Sequence, residues 1–105
     1  MTECRCYAPP FDYRDFTSRE IGVDHGAEVS VVTCNSCGTR WLHYFFENES
    51  FTASGRWYRG LLAAPEQSMV TPATAIAYLG SLPWHFAGGS FYDSTGFRRS
   101  GEIRL

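Results

Sequence analysis

Residues 27–46 have the sequence AEVSVVTCNSCGTRWLHYFF, in which two apolar segments flank a Cys-x-x-Cys-Gly turn. In the first segment, apolar residues alternate with Glu28 and Ser30, which is the period-2 pattern of a half-buried strand. The second segment, from about Thr39 to Phe46, carries bulky side chains at consecutive positions. This is typical of a central strand covered on both faces, or of one with a face left free for a partner. The stretch therefore predicts two strands joined by the cysteine turn.

A second pair of cysteines lies near the N-terminus, where Cys4 and Cys6 are separated from Cys34 and Cys37 by a spacer of 27 residues. Zinc binds four thiolate or imidazole ligands in a tetrahedron, and two closely spaced pairs can meet across a fold to supply them. Gly38 directly follows the second pair and readily takes the positive φ that closes such a turn. We expect one Zn²⁺ held by all four thiolates. A site closed in this way is structural, not catalytic, and metal binding adds directly to the free energy of folding.

The strand–CxxCG–strand arrangement resembles the knuckle of the zinc-ribbon group, over residues 27–46 together with the N-terminal pair. In that group both knuckles are usually Cys-x-x-Cys, whereas the first pair here is a Cys-x-Cys with no glycine after it. The resemblance implies an antiparallel, ribbon-like sheet around a structural zinc ion. His25 and His43 remain open as replacements for one cysteine at the fourth ligand position.

Two disulfides, a redox-active Cys-x-x-Cys and four unpaired thiols are the other interpretations of the cysteines. Redox motifs usually open a helix, whereas the residues after Cys37 are predicted to form a strand. Disulfides persist in oxidising compartments, and the N-terminal sequence MTECRC lacks the charged start and apolar run of a secretory signal. No apolar stretch approaches the roughly 20 residues that span a bilayer. We therefore expect a cytoplasmic protein with reduced thiols and no membrane partner.

The rest of the sequence predicts one helix and little other regular structure. Thr71 is a good N-cap and Pro72 costs nothing at the first helical position, so a helix is predicted over residues 72–80. Residues 1–26 are expected to be irregular, with a turn over 24–26. A hairpin around Ser54-Gly55 is expected to join strands over 51–53 and 56–59, and a loop is expected over 63–71 around Pro65. After the helix, we expect a connection over 84–86, a turn over 88–90 and a last hairpin with its turn over 93–96.

A chain of 105 residues has room for only one hydrophobic core. The sequence therefore predicts a single zinc-stapled domain over residues 1–105. Its fold class is expected to be α+β, with a small antiparallel zinc-ribbon-like β-sheet and one short helix.

The composition and the motif search both argue against an enzyme. The net charge is −2, and all nine basic residues are arginine, so Schiff-base chemistry on a lysine is excluded. The sequence contains no Gly-x-Ser-x-Gly, no His-Glu-x-x-His and no phosphate-binding loop. We therefore expect a non-enzymatic protein. A small zinc enzyme would need an open position on the metal.

Aromatic residues make up 16% of the chain, which is more than a core of this size readily hides. Because Trp, Tyr and Arg dominate interface hot spots, we expect a protein-interaction module, one version being an inhibitor or immunity-type protein that caps a larger protein. The alternative is a nucleic-acid-binding zinc ribbon that uses the same arginines and rings, although the near-neutral charge argues against it. The homo-oligomeric state stays open. The candidate partner-binding residues are Arg56, Trp57, Arg59, Trp84, His85, Tyr92, Arg98 and Arg99.

Overall fold

The computed structural model describes residues 4–48, 50–63 and 69–105. Its strands form a six-stranded sheet in which each strand pairs in antiparallel fashion with the next one along the chain. The fold is thus mixed α+β and mostly β, as predicted, whereas the zinc-ribbon assignment stays a prediction. The elements are β1 (Phe16–Asp24), β2 (Ala27–Cys34), β3 (Arg40–Phe46), β4 (Arg56–Leu61), α1 (Ala75–Ser81), β5 (His85–Gly89) and β6 (Ser94–Arg99).

The two strands predicted around the cysteine turn are confirmed as β2 and β3. Val29 pairs with Tyr44 and Val31 with Leu42, so the apolar side chains of both strands point to one face. Trp41 lies next to Leu42 and therefore points to the other face, yet both residues are fully buried. Of the two alternatives for β3, the central strand covered on both faces is the one observed.

The prediction of an irregular N-terminal segment is wrong for residues 16–24, which form the edge strand β1. Its residues 17–20 are polar and exposed, and β1 lies at the edge of the sheet. A register shift between Glu20 and Gly22 also breaks the alternation by which a strand is recognised. The turn predicted over 24–26 is confirmed. His25 and Gly26 both have positive φ there and join β1 to β2.

The hairpin predicted around Ser54-Gly55 needs a correction in its first half. Residues 50–53 form turns, not a strand, and β4 pairs with β3. The Ser54 hydroxyl instead closes the loop by donating to the carbonyl oxygen of Asn48 at 2.6 Å. A local side-chain hydrogen bond of this kind competes with strand formation.

Two predictions near the C-terminus are also corrected. The expected connection over 84–86 and the turn over 88–90 are largely replaced by β5. A Cβ on Gly88 would lie 2.6 Å from the Trp57 ring, so this glycine serves close packing against a ring and not a turn. The last hairpin joins β5 to β6 through a 3₁₀ turn over Ser90–Tyr92, and residues 94–96, placed in its turn by the prediction, belong to β6.

The predicted helix is confirmed in position. Thr71 is its N-cap, a 3₁₀ turn follows over Pro72–Thr74, and α1 then continues to Ser81. The Thr74 hydroxyl accepts a hydrogen bond from the Thr71 N–H at 2.9 Å. The loop predicted over 63–71 falls partly outside the described residues, and so does Pro65.

One face of the sheet is covered by α1. Gly60 in β4 allows this close approach, because a Cβ there would lie 2.7 Å from a methyl group of Leu79 and 2.5 Å from one of Leu82. The buried residues of this face and of the segments packed on it are Ala27, Val29, Val31, Leu42, Tyr44, Tyr58, Leu62, Ala75, Leu79, Ala87 and Ile103.

The opposite face is covered by residues 4–16, which contain two short 3₁₀ turns and no other helix. Trp41 lies at its centre, with the Tyr7 ring at 5.0 Å and the Phe86 ring at 5.9 Å between centroids. Cys6 and Cys34 are buried in this same cluster. An otherwise irregular segment is thus held on the sheet by aromatic packing and by the cysteines.

We expect Gly89→Ala to lower the free energy of unfolding by about 2–4 kcal/mol. Gly89 has a φ of +112°, and a Cβ there would lie 2.5 Å from the carbonyl oxygen of Gly55 and 2.8 Å from the Cα of Arg56. These are backbone atoms, which cannot move aside without opening the sheet. Urea denaturation of the variant measures the effect.

Gly101→Ala is the matched control for this prediction. Gly101 also has a positive φ, of +91°, but no atom lies within 4 Å of the position that a Cβ would occupy there. The free energy of unfolding of the control should therefore fall by only about 1 kcal/mol, because alanine is strained at a positive φ but meets no other atoms there. Equal losses at the two glycines would show that the close approach at Gly89 is unimportant.

Candidate metal centre

The second cysteine pair lies in the turn between β2 and β3. The Cys34 N–H donates to the carbonyl oxygen of Thr39, and the Gly38 N–H donates to the carbonyl oxygen of Cys34, each at 2.9 Å. Gly38 has a φ of +78°, as the sequence predicted. The turn leaves Cys34 buried and Cys37 exposed, so the site lies at the margin of the sheet.

The first cysteine pair is brought to this turn by polar contacts of its neighbours. The Arg5 guanidinium forms an ion pair with Asp15 at 2.8 Å. The Asp15 carbonyl oxygen accepts a hydrogen bond from the Asn35 N–H at 2.9 Å, within the second turn. The segment that carries Cys4 and Cys6 is therefore linked through Asp15 to the turn that carries the other pair.

The four cysteine sulfurs lie within 4.8 Å of one another. Cys4 Sγ is 3.7 Å from Cys34 Sγ, and Cys6 Sγ is 3.6 Å from Cys37 Sγ. Zn–S bonds of about 2.3 Å in a tetrahedron place the sulfurs about 3.8 Å apart. The four cysteines are free thiols, and their spacing fits one tetrahedrally bound metal ion. The predicted ligand set thus comes together as a possible metal site.

The surroundings of the cysteines favour thiolates at the exposed side of the cluster. Hydrogen bonds with the hydroxyl and the backbone of Thr39 lower the pKa of Cys37 to about 6. Burial, followed by the contact with Cys37, raises the pKa of Cys6 above its usual range. A divalent ion would remove this difference, because a metal ion deprotonates every thiol that it binds.

Neither histidine left open by the sequence belongs to the sulfur cluster. The His25 ring is 93% exposed and lies 3.6 Å from Asp24 in the β1–β2 turn. His43 Nδ1 instead accepts a hydrogen bond from Arg59 Nε at 3.2 Å. Burial and the Arg59 charge lower the pKa of His43 to about 3, so its ring is neutral and able to accept this bond.

The predicted partner-binding residues do not form one surface. In paired antiparallel strands, directly opposed residues point to the same face and neighbours alternate. The pairing of Arg98 and of Arg59 with Phe86 places Trp57, Arg59, Trp84 and Arg98 on the face that carries the cysteines. The pairing of Arg99 with His85 places the others on the α1 side. The residues of that second group are Arg56, His85, Tyr92 and Arg99.

Two of these residues need a correction, because they are buried. Arg59 is 8% exposed and His85 has no exposed surface. Neither side chain can contact a docked partner in this structure. Sequence patterning missed this, since Arg and His are usually placed at the surface and only the covering segments decide otherwise. The other six residues remain a prediction.

On the α1 side, hydroxyl and guanidinium groups form a chain of hydrogen bonds. Tyr58 Oη lies 2.8 Å from Tyr92 Oη, which also accepts a hydrogen bond from Arg99 at 3.1 Å. Tyr92 and Arg99 are therefore engaged inside the protein. Each would give up an internal contact in order to bind a partner.

One partly exposed cluster joins Arg56, a predicted partner-binding residue, to rings that the sequence analysis did not single out. The Arg56 guanidinium lies 4.4 Å from the centre of the Phe91 ring and 4.8 Å from that of Phe46. Phe91 is 53% exposed, and Phe51, in the neighbouring β3–β4 loop, is 68% exposed. No sequence period links these residues, because the cluster is assembled from β3, β4 and the β5–β6 turn.

We expect His85 to make the stability of the protein sensitive to acid. Burial, followed by the Arg99 charge, lowers the pKa of His85 to about 4, and neither ring nitrogen has a hydrogen-bond partner among the described residues. An unfolded histidine titrates near 6.5, so the unfolded chain takes up this proton first and stability is lost as the pH falls from about 6.5 to 4. We expect His85→Leu to reduce the loss of unfolding free energy between pH 7 and pH 5 by up to about 2 kcal/mol.

Urea denaturation of the protein at both pH values measures this effect. His25→Gln, which changes an exposed ring in the β1–β2 turn, is the control and should follow the parent protein. The same pH dependence in the parent and in His85→Leu would contradict the prediction.

The chain matches no protein-family model, and neither the curated proteins nor the solved structures yielded a similar protein. Within the described ranges, no helix has the length and apolar character required to cross a bilayer. The fold and the site therefore define the protein only as a small, mostly β chain with a four-cysteine cluster able to hold a metal ion.

Proposed function

We propose that this chain is a non-enzymatic protein-interaction module, a single zinc-stapled domain that caps a larger protein as an inhibitor or immunity-type protein does. The observation that carries the proposal is the Arg56 cluster. It presents an arginine between Phe46 and the exposed ring of Phe91, which is the composition of an interface hot spot.

The polar contacts of Arg56 support a partner with an acidic residue. Arg56 is partly exposed, and no carboxylate pairs with it in the described part of the chain. A carboxylate of the partner can accept two parallel hydrogen bonds from a guanidinium, and the flanking rings keep water away from them. The expected partner therefore inserts an acidic side chain beside Phe91.

The cysteine cluster supports a structural zinc ion within the same module. Zn²⁺ is the common ion in closed four-cysteine tetrahedra, and the strand–CxxCG–strand turn resembles the zinc-ribbon knuckle. With all four sulfurs on the ion, no position is left for substrate, which favours a non-enzymatic protein over a small zinc enzyme. Reduced thiols of this kind fit the cytoplasm.

Native mass spectrometry of untagged protein, purified from its own host without chelator, tests the proposal. We expect one zinc ion per chain and a second protein chain in stoichiometric amount. Arg56→Glu and Phe91→Ala should each remove the second chain but keep the zinc. Arg19→Glu, in the exposed part of edge strand β1, should keep both. If no chain is retained, or if all variants retain it, the interaction proposal is wrong.

A nucleic-acid-binding zinc ribbon is the second candidate. Arg98 is exposed and its guanidinium lies 4.1 Å from the centre of the half-buried Trp84 ring, which offers a base a cation and a ring together. The net charge of −2 opposes this function. Binding to single-stranded oligonucleotides that weakens with salt and is lost in Arg98→Ala would favour it over the protein partner.

A further inference from the structure

Arg59 is the one buried arginine of the described residues. It lies in β4 between His43 of β3 and Phe86 of β5, on the face of the sheet that carries Trp41 and Cys34. Because residues 4–16 cover this face of the sheet, the Arg59 side chain is only 8% exposed. Something in the fold must therefore compensate its charge.

Rings and one neutral histidine surround the guanidinium. It lies 4.5 Å from the centre of the Phe11 ring and 4.7 Å from that of Phe16, and its Nε donates to His43 Nδ1. Its Nη1 is buried and has no hydrogen-bond partner in the described residues. Rings and a neutral imidazole attract a cation, but they supply no negative charge.

No carboxylate compensates Arg59 either. Within the ranges 4–48, 50–63 and 69–105, none of the ion pairs includes Arg59. Burial lowers the pKa of Arg59 to about 10, which leaves it charged at neutral pH. The two rings that contact Arg59 also line a cavity of about 160 Å³ together with Cys6 and Cys34.

A second unsatisfied donor is buried on the same face. The indole Nε1 of Trp41 has no hydrogen-bond partner among the described residues, and Trp41 packs in one cluster with Cys6 and Cys34. Thiols are weak acceptors, whereas a thiolate accepts charge-assisted hydrogen bonds. Two unsatisfied buried donors on the face of the sheet that packs against Cys6 and Cys34 therefore suit thiolates better than thiols.

We propose that Arg59 is the counter-charge of the metal centre and that, with Trp41, it allows a divalent metal ion to bind with all four cysteines as thiolates. A divalent ion with four thiolates carries a net charge of two minus, and one buried guanidinium halves it. This inference rests on the proposed metal site. Arg59 acts through Cys6 and is a positioning residue, not a metal ligand.

Arg59→Met tests the inference, because it keeps a long apolar side chain between the rings and removes the charge. Zinc affinity is measured by competition with a chromophoric chelator at pH 7. We expect a loss of about 10- to 100-fold, which is typical when a partner of a metal ligand is removed. Arg59→Lys keeps the charge and should recover most of the affinity.

Arg98→Met is the matched control. Arg98 also lies on rings, at 4.1 Å from Trp84 and 5.6 Å from Phe86, but it is exposed. Its replacement should leave the zinc affinity unchanged. A loss of the same size in Arg98→Met, or equal losses in Arg59→Lys and Arg59→Met, would show that packing and not charge is responsible.

Stability without metal gives a second measurement. If Arg59 compensates thiolates, Arg59→Met should destabilise the zinc-loaded protein and leave the chelator-treated protein unchanged or more stable, because an uncompensated buried cation has been removed. Equal destabilisation of both forms at unchanged zinc affinity would overturn the inference.

Cobalt binding separates the metal site itself from the role of Arg59. Co²⁺ bound by four thiolates gives intense thiolate-to-metal absorption in the near ultraviolet. A parent protein that binds neither zinc nor cobalt would refute the metal site. A parent with the four-thiolate spectrum and an Arg59→Met variant of equal affinity would refute only the role of Arg59.

Discussion

Cys34→Ser is expected to abolish stoichiometric zinc binding and to lower the free energy of unfolding by at least about 3 kcal/mol. The loss follows from the position of the site. The segment 4–16 has little secondary structure and covers one face of the sheet, so a metal ion held by the four cysteines would link this segment directly to the β2–β3 turn. For a chain of this size, we expect Tm to fall by roughly 12–24 °C.

Thermal denaturation with and without a chelator measures this effect. Chelation should bring the parent protein down to the Tm of Cys34→Ser and should not change the variant itself. Ser36→Ala, an exposed position within the same turn, is the control and should keep both the zinc and the Tm. A Cys34→Ser variant that is as stable as the parent, with one zinc still bound, would exclude the four-cysteine site.

Trp41→Ala is expected to lower the free energy of unfolding by about 3–5 kcal/mol, as is typical when a fully buried aromatic side chain is removed. Trp41 has no exposed surface and contacts the rings of Tyr7, Trp84 and Phe86. Removing it leaves a cavity beneath the covering segment and takes away the indole beside Cys6. We therefore expect the zinc affinity to fall together with the stability.

Trp84→Ala is the control for this second prediction. Trp84 belongs to the same aromatic cluster but is only half-buried, and the surroundings can relax around a smaller residue. Urea denaturation should show a loss of about 1–2 kcal/mol for this variant. If the two variants lose the same free energy of unfolding, Trp41 is not the centre of this face.

The strands around the cysteine turn could be predicted because their signals are local. β2 alternates apolar and polar residues, and Gly38 marks the turn through a conformation that glycine adopts most easily. The helix after Thr71 was likewise predictable from its cap and from Pro72. In each case a few neighbouring residues carry the information.

The strands β1 and β5 were missed because the interactions that form them are not local in sequence. β1 is an exposed edge strand with a register shift, and β5 contains Gly88, whose role is to make room for the Trp57 ring of the neighbouring strand. In β1 the register shift interrupts the alternation of the strand, and in β5 the two glycines lower the strand propensity. Pairing with a strand that is already in position overrides both effects.

By itself, the sequence determined the four-cysteine set, the two central strands and the mostly β class, because spacing and periodicity act over short distances along the chain. Only the tertiary structure decided which charged residues are inside. Arg59 and His85 are buried because residues 4–16 cover one face and α1 covers the other. The exposed Arg56 cluster likewise exists only where β3, β4 and the β5–β6 turn meet. Burial depends on what packs above a residue, and no periodicity within a single strand contains that information.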